Sequence, residues 1–143
     1  MLYAMTAPLQ TSVLLADDNR YLRVGLRELI NMEEDMNVVG EAEDGHQAVM
    51  LAHKLSPDVI VMDISMPRLS GLEATRQILQ RTTSTKILVL SGHGEDAYVE
   101  QCEALGASGY VSKSAAPESL PAAIRRAQQG SPFFGPQSSS NPA

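Results

Sequence analysis

Three short apolar runs constrain this chain more than any other feature. They are SVLLA (Ser12–Ala16), VIVM (Val59–Met62) and KILVLS (Lys86–Ser91). Each is nearly continuous rather than alternating, the pattern of a central parallel strand buried on both faces. NVVGEA (Asn37–Ala42) is more polar, as suits an edge strand, and GYV (Gly109–Val111) is short but bounded by turn residues.

Between these runs the apolar residues recur at helical spacing. Leu22, Leu26, Leu29 and Ile30 form one stripe, and Ala48, Leu51, Ala52 and Leu55 another. Leu120, Ala123, Ile124 and Ala127 form a third, with Pro117 in the first turn and Gly130 at the end. SGLE (Ser70–Glu73) reads as a capping box that opens a helix lined by Leu72, Thr75 and Leu79. Tyr98, Cys102 and Leu105 give a shorter stripe, which makes Cys102 a core residue. Five strands alternating with five helices predict an α/β fold with a parallel sheet covered on both faces.

Charge and cysteine usage narrow the function classes. The net charge is −6, which argues against nucleic-acid binding by this chain because a phosphate-neutralising basic face is missing. One cysteine permits no intrachain disulfide framework. No apolar run reaches membrane-spanning length, and MLYAMTAPLQ lacks the pattern of a secretory signal, so a cytoplasmic protein without membrane contact is expected. After Pro132 the Ser, Pro and Gly content predicts a linker or frayed tail. The expected division is an N-terminal extension over 1–10, one domain over 11–130 and a linker or disordered tail over 131–143.

In an open parallel sheet, function gathers at the carboxyl ends of the strands. Asp17 and Asp18 follow the first strand, Asp63 the third, Ser91 ends the fourth, and Lys113 follows the fifth. Each has an ordinary structural reading. Asp17, Asp18 and Asn19 can cap the first helix, Asp63 can accept loop amides, Ser91 can simply end a strand, and Lys113 can lie on the surface. The constellation outweighs its members, because four strand ends carry chemically compatible groups at once.

On LLADDN, VIVMDISMPRLSGLE, KILVLSG and GASGYVSK, the chain resembles the response-regulator receiver domains of bacterial two-component signalling, over roughly Thr11 to Gly130. Spacings of 46, 28 and 22 residues separate Asp17, Asp63, Ser91 and Lys113 in turn, and all suit that family. EEDMNVVGEAEDGHQAV and AIRRAQQGSPFFGP are similar to the subfamily that joins a C-terminal LuxR-type helix-turn-helix to the receiver, a domain absent from these 143 residues. The resemblance implies a flavodoxin-like doubly wound sheet of five parallel strands in the order 2-1-3-4-5, with helices on both faces. It implies a signalling switch rather than a conventional enzyme, one that catalyses its own aspartyl phosphorylation and dephosphorylation. Asp63 would be the phosphoacceptor. Asp18 and Asp63 would hold Mg²⁺ directly and Asp17 largely through water, with the Ser65 backbone carbonyl completing the protein ligands. Lys113 would meet the phosphoryl oxygens, Ser91 would swing toward them, and Tyr110 would turn inward behind Ser91. The implied partners are a histidine kinase, a small acyl-phosphate donor, a second copy of the chain, and DNA for a longer form carrying the output domain. The implied output face is the fourth helix, fifth strand and last helix. Lys113 is followed by Ser114, where many receivers have proline, and the isomer of that bond stays open.

Rival readings fit less well. A haloacid-dehalogenase-like phosphotransferase wants a second acid two residues after the aspartate, where Ser65 stands. ADDNR after the first strand would repel the phosphate of a flavodoxin's FMN, and the chain has no Trp to stack on the flavin. His46 and His53, seven apart on one helix, are separated by roughly 10 Å along its axis, too far for one zinc ion. The serious alternative is a receiver-fold interaction module that is never phosphorylated. A Mg²⁺ titration followed by NMR separates it from a switch.

Overall fold

The computed structural model describes residues 9–131 and the backbone of Phe133 and Phe134. Its elements run β1 (Thr11–Ala16), α1 (Arg20–Asn31), β2 (Met36–Ala42), α2 (Gly45–Leu55), β3 (Val59–Asp63), α3 (Gly71–Arg81), β4 (Lys86–Ser91), α4 (Asp96–Leu105), β5 (Gly109–Ser112), α5 (Ala116–Gln128) and β6 (Phe133–Phe134). The strands are all parallel, in the order β2-β1-β3-β4-β5-β6. The expected five-stranded order is therefore present.

Each central strand is buried on both faces, which is why its sequence does not alternate. Leu14, Ile60, Met62, Ile87 and Val89 face a core completed by Ala48 and Ala52 of α2, Ala74 and Ile78 of α3, and Val99 and Cys102 of α4. Val13, Leu15, Val61, Leu88 and Leu90 face the other core, against Leu26 and Ile30 of α1 and Leu120, Ile124 and Ala127 of α5. The sheet is thus held rigid from two sides, and its strand ends are fixed points. Among the described residues no helix is long and apolar enough to cross a membrane.

Three local expectations need correction. The α4 stripe is Val99 and Cys102, whereas Tyr98 and Leu105 are exposed. Ser70 caps α3 by accepting from the Glu73 amide, but the Glu73 side chain turns forward to Arg76 and Gln77 instead of back to Ser70. Within the stretch expected as linker or tail, Phe133 and Phe134 add a sixth strand along the open edge of β5, with Gly109 opposite Phe133 and Tyr110 opposite Phe134. Pro132 and residues 135–143 of that stretch, and residues 1–8 of the expected N-terminal extension, lie outside the described residues.

Candidate functional site

The site forms where β1, β3 and β5 run out. Asp63 is the last residue of β3, in register with Leu90 of β4, and is completely buried. Its Oδ1 accepts from the Ser65 amide at 3.1 Å and from Lys113 Nζ at 3.0 Å. Its Oδ2 is buried with no hydrogen-bond partner. Asp17 repeats the arrangement: Oδ1 accepts from the Asn19 amide at 2.8 Å, and Oδ2 is buried and unpartnered. Asp18 is exposed beside them. One carboxylate oxygen from each of Asp17, Asp18 and Asp63 lies within 4.8 Å of the other two. Helix capping falls to Asn19, which accepts from the Leu22 amide.

Burial, and next the charge of Asp17, push the Asp63 carboxyl up to about 7, with Lys113 and the Ser65 amide pulling the other way. Burial works to lower Lys113. Its hydrogen bond to Asp63 and the charges of Asp63, Asp17 and Glu95 outweigh that and hold the ammonium above its ordinary value. Two buried oxygens without donors, next to a third exposed acid, form a hard all-oxygen donor set that fits a small divalent cation. Leaving such groups unpartnered is costly, on the order of 1–3 kcal/mol for a neutral group and more for a charged one.

Beside this cluster opens a cleft of about 580 Å³, lined by Ser91, His93, Asp96, Tyr110 and Lys113 among others. Ser91 is buried and sits opposite Ser112 in the β4–β5 register, and its carbonyl accepts from the Lys113 amide at 2.8 Å. Tyr110 is half-buried and packs against the core under α4. Asp17, Asp18, Asp63 and Lys113 thus converge directly, while Ser91 and Tyr110 reach the same rim through the cleft that Lys113 shares. None of the described peptide bonds is cis, Lys113–Ser114 included.

Supporting residues emerged only in the structure. Arg23 of α1 is buried, donates to the Asp17 carbonyl at 2.7 Å and pairs with Glu41 of β2 at 2.8 Å. Arg27 pairs with the other oxygen of Glu41 at 2.6 Å. A signal was available, since Arg23 lies within one turn of Leu26 on the apolar side of the helix. Glu95 Oε1 accepts from the Gly92 amide at 2.6 Å and fixes the loop after β4. Gly71 lets the start of α3 pass the end of β3, since a Cβ there would lie 1.9 Å from the Asp63 carbonyl oxygen.

The family model for the response regulator receiver domain matches residues 13–125. The chain is 40% identical over 129 residues to the transcriptional regulatory protein DegU of Brevibacillus brevis, covering 90% of this chain and 55% of DegU. It is 45% identical over 122 residues to the uncharacterized transcriptional regulatory protein YxjL of Bacillus subtilis, covering 85% of this chain and 56% of YxjL. The chain therefore spans about half the length of these curated relatives. A LuxR-family two-component response regulator from an Aurantimonas species superposes with a TM-score of 0.83 at 36% identity, covering 89% of this chain and 91% of that one.

Proposed function

Since the chain belongs to the response-regulator receiver family, a family of signalling proteins rather than conventional enzymes, we propose that it is a phosphorylation-dependent switch with Asp63 as its phosphoacceptor. One observation carries the reading: Asp63 is fully buried at a strand end, gripped on one oxygen by Lys113 and left unpartnered on the other, facing two further acids. A buried carboxylate oxygen serving only the fold would be hydrogen-bonded.

Asp17, Asp18, Asp63 and the Ser65 carbonyl would hold Mg²⁺, which when bound supplies the positive charge that lets three carboxylates and an anionic phosphoryl group share one pocket. The residues do the rest. Asp63 presents a carboxylate oxygen to the phosphorus of a phosphohistidine or a small acyl phosphate. A new P–O bond forms as the bond to the leaving group breaks, and the leaving group keeps the electron pair. Lys113 neutralises charge on the phosphoryl oxygens, and the rigid end of β3 holds the nucleophile in line, so positioning and electrostatics carry the catalysis. Hydrolysis of the same acyl phosphate resets the switch.

Ser91, in the adjoining cleft, would turn toward the phosphoryl group, and Tyr110 would follow it inward. The readout face would be α4, β5 and α5, where Tyr98 and Leu105 stand exposed. In this reading 1–10 is an extension, 11–130 the receiver and 131–143 the link to a DNA-binding output domain in a longer, cytoplasmic protein controlling transcription. β6 would be the first part of that link.

Intact-mass analysis after acetyl phosphate treatment tests the assignment. One Mg²⁺-dependent phosphoryl group on the wild type and none on Asp63→Asn is expected, and equal labelling of both proteins overturns it. Ser91→Ala is expected to accept the label without the full NMR shift of the α4–β5–α5 face. A complete shift would remove Ser91 from the switch.

A further inference from the structure

Two non-glycine residues among those described have positive φ, Ser56 at 46° and Arg68 at 66°. Ser56 ends α2 in the left-handed conformation common at helix C-termini. Arg68 has no such excuse. It sits between Pro67 and Leu69 in the loop from β3 to α3, at the centre of a three-residue turn closed by the Leu69 amide on the Pro67 carbonyl at 2.7 Å. L-residues avoid this conformation and glycine is the default occupant. Strain of this kind persists where surrounding structure over-determines it, and it clusters near functional sites.

The Arg68 side chain shows what holds it. Its Nη1 donates to Asp44 Oδ2 at 2.6 Å. Asp44 is almost completely buried, and its Oδ1 caps α2 by accepting from the Gln47 amide at 2.9 Å. An exposed arginine on an exposed acid contributes little. Here the acid is buried and already fixed by its capping role, so the ion pair ties a loop to a rigid point. The two loops also touch directly, for a Cβ on Gly45 would lie 2.1 Å from the Leu69 carbonyl oxygen. Upstream in the tethered loop stands Ser65, whose amide donates to Asp63 at 3.1 Å.

We infer that Arg68 is a positioning residue for the acidic pocket, clamping the β3–α3 loop to the N-terminus of α2 through Asp44 so that the Ser65 backbone keeps its place beside Asp63. The chemical consequence rests on Asp63 being the phosphoacceptor; the clamp itself does not.

Arg68→Gly is the discriminating variant, because glycine accepts the turn without strain and only the tether is lost. It should still fold, relief of strain at residue 68 offsetting part of what the lost pair with Asp44 costs. In the metal-free protein the Ser65 amide should exchange with deuterium faster. The Mg²⁺ concentration for half-maximal labelling by acetyl phosphate should rise by about tenfold, the lower range for losing a group that supports a metal ligand. Asp44→Asn, which keeps the helix cap, should move both readouts the same way, and the double variant should be no worse than the worse single one. Unchanged Ser65 exchange together with an unchanged Mg²⁺ midpoint in Arg68→Gly overturns the clamp. If the wild type takes no label, the reading of Asp63 fails and Ser65 exchange alone decides the clamp.

Discussion

The two ends of the sheet use the same residue types to opposite effect. At the amino end, Asp58 Oδ2 accepts from both the amide and the hydroxyl of Ser12, at 2.8 and 3.1 Å. The Asp58 amide donates back to the Ser12 hydroxyl at 2.9 Å, and Thr85 Oγ1 donates to the Pro57 carbonyl at 2.8 Å. At the carboxyl end, Asp17 and Asp63 each keep a buried oxygen with no partner. One end is closed by mutual hydrogen bonding and stabilises the fold. The other holds like charges together at a cost in stability, with only Lys113 to offset them. The difference teaches where to look for chemistry: not at acids as such, but at acids the fold positions and leaves unsatisfied.

The comparison breaks most readily on a pair of substitutions. Asp63→Asn should abolish phosphoryl labelling yet leave the metal-free protein at pH 8 as stable as the wild type or more so, because a buried charge is gone. Asp58→Ala should do the reverse, keeping the label and losing about 1–3 kcal/mol of stability by urea unfolding. If both variants lose stability alike, the two ends are not different in kind.

Arg23→Met comes next. It removes the closure built beneath the rim, leaving the Asp17 carbonyl and Glu41 without their buried partner, and should cost about 2–3 kcal/mol. Because Arg23 holds Asp17, its Mg²⁺ midpoint should also rise, which no amino-end substitution should match.

The pH dependence sharpens the contrast further. The Asp63 carboxyl is raised from its ordinary value to about 7, so its contribution to stability is complete below pH about 4 and is lost as pH rises through 7. Asp35, near the amino end, is held below its ordinary value chiefly by its hydrogen bond from Arg125. Its contribution is present above the usual carboxylate range and is lost as pH falls below it. Thermal melts of metal-free wild type should therefore decline from pH 5 to 8, a decline that Asp63→Asn lacks and that Mg²⁺ reverses at the alkaline end. The smallest effect is expected from Arg125→Gln. Its pairs with Asp35 and Glu33 are partly exposed, so the loss should stay below about 1 kcal/mol, vanish in high salt and leave labelling untouched.

Much of this was legible in the chain, and the failures have local causes. The α4 stripe is ambiguous in the sequence because Tyr98 and Val99 each begin a helical row that includes Cys102. Only the position of α3 and the sheet selects Val99. A capping box would turn Glu73 back to Ser70, but Arg76 and Gln77 lie on the next turn and compete for it. Phe133 and Phe134 sit in a tail of turn-forming residues, and a two-residue strand has too little pattern to be seen without the β5 edge it pairs with.

The sequence by itself determined the alternation of strands and helices, the burial of the central strands on both faces, and the placing of Asp17, Asp18, Asp63, Ser91 and Lys113 at strand ends. Those properties follow from periodicity and turn chemistry along a few residues. Only the tertiary structure decided that Lys113 grips one oxygen of Asp63 and leaves the other, that Arg23 stands beneath Asp17, and that Arg68 is held in a strained turn by Asp44. The first and last are contacts between segments far apart in the chain, and Arg23 is fixed by its pairing with Glu41 of β2. They depend on how the crossover helices pack, and no spacing of residue types records that packing.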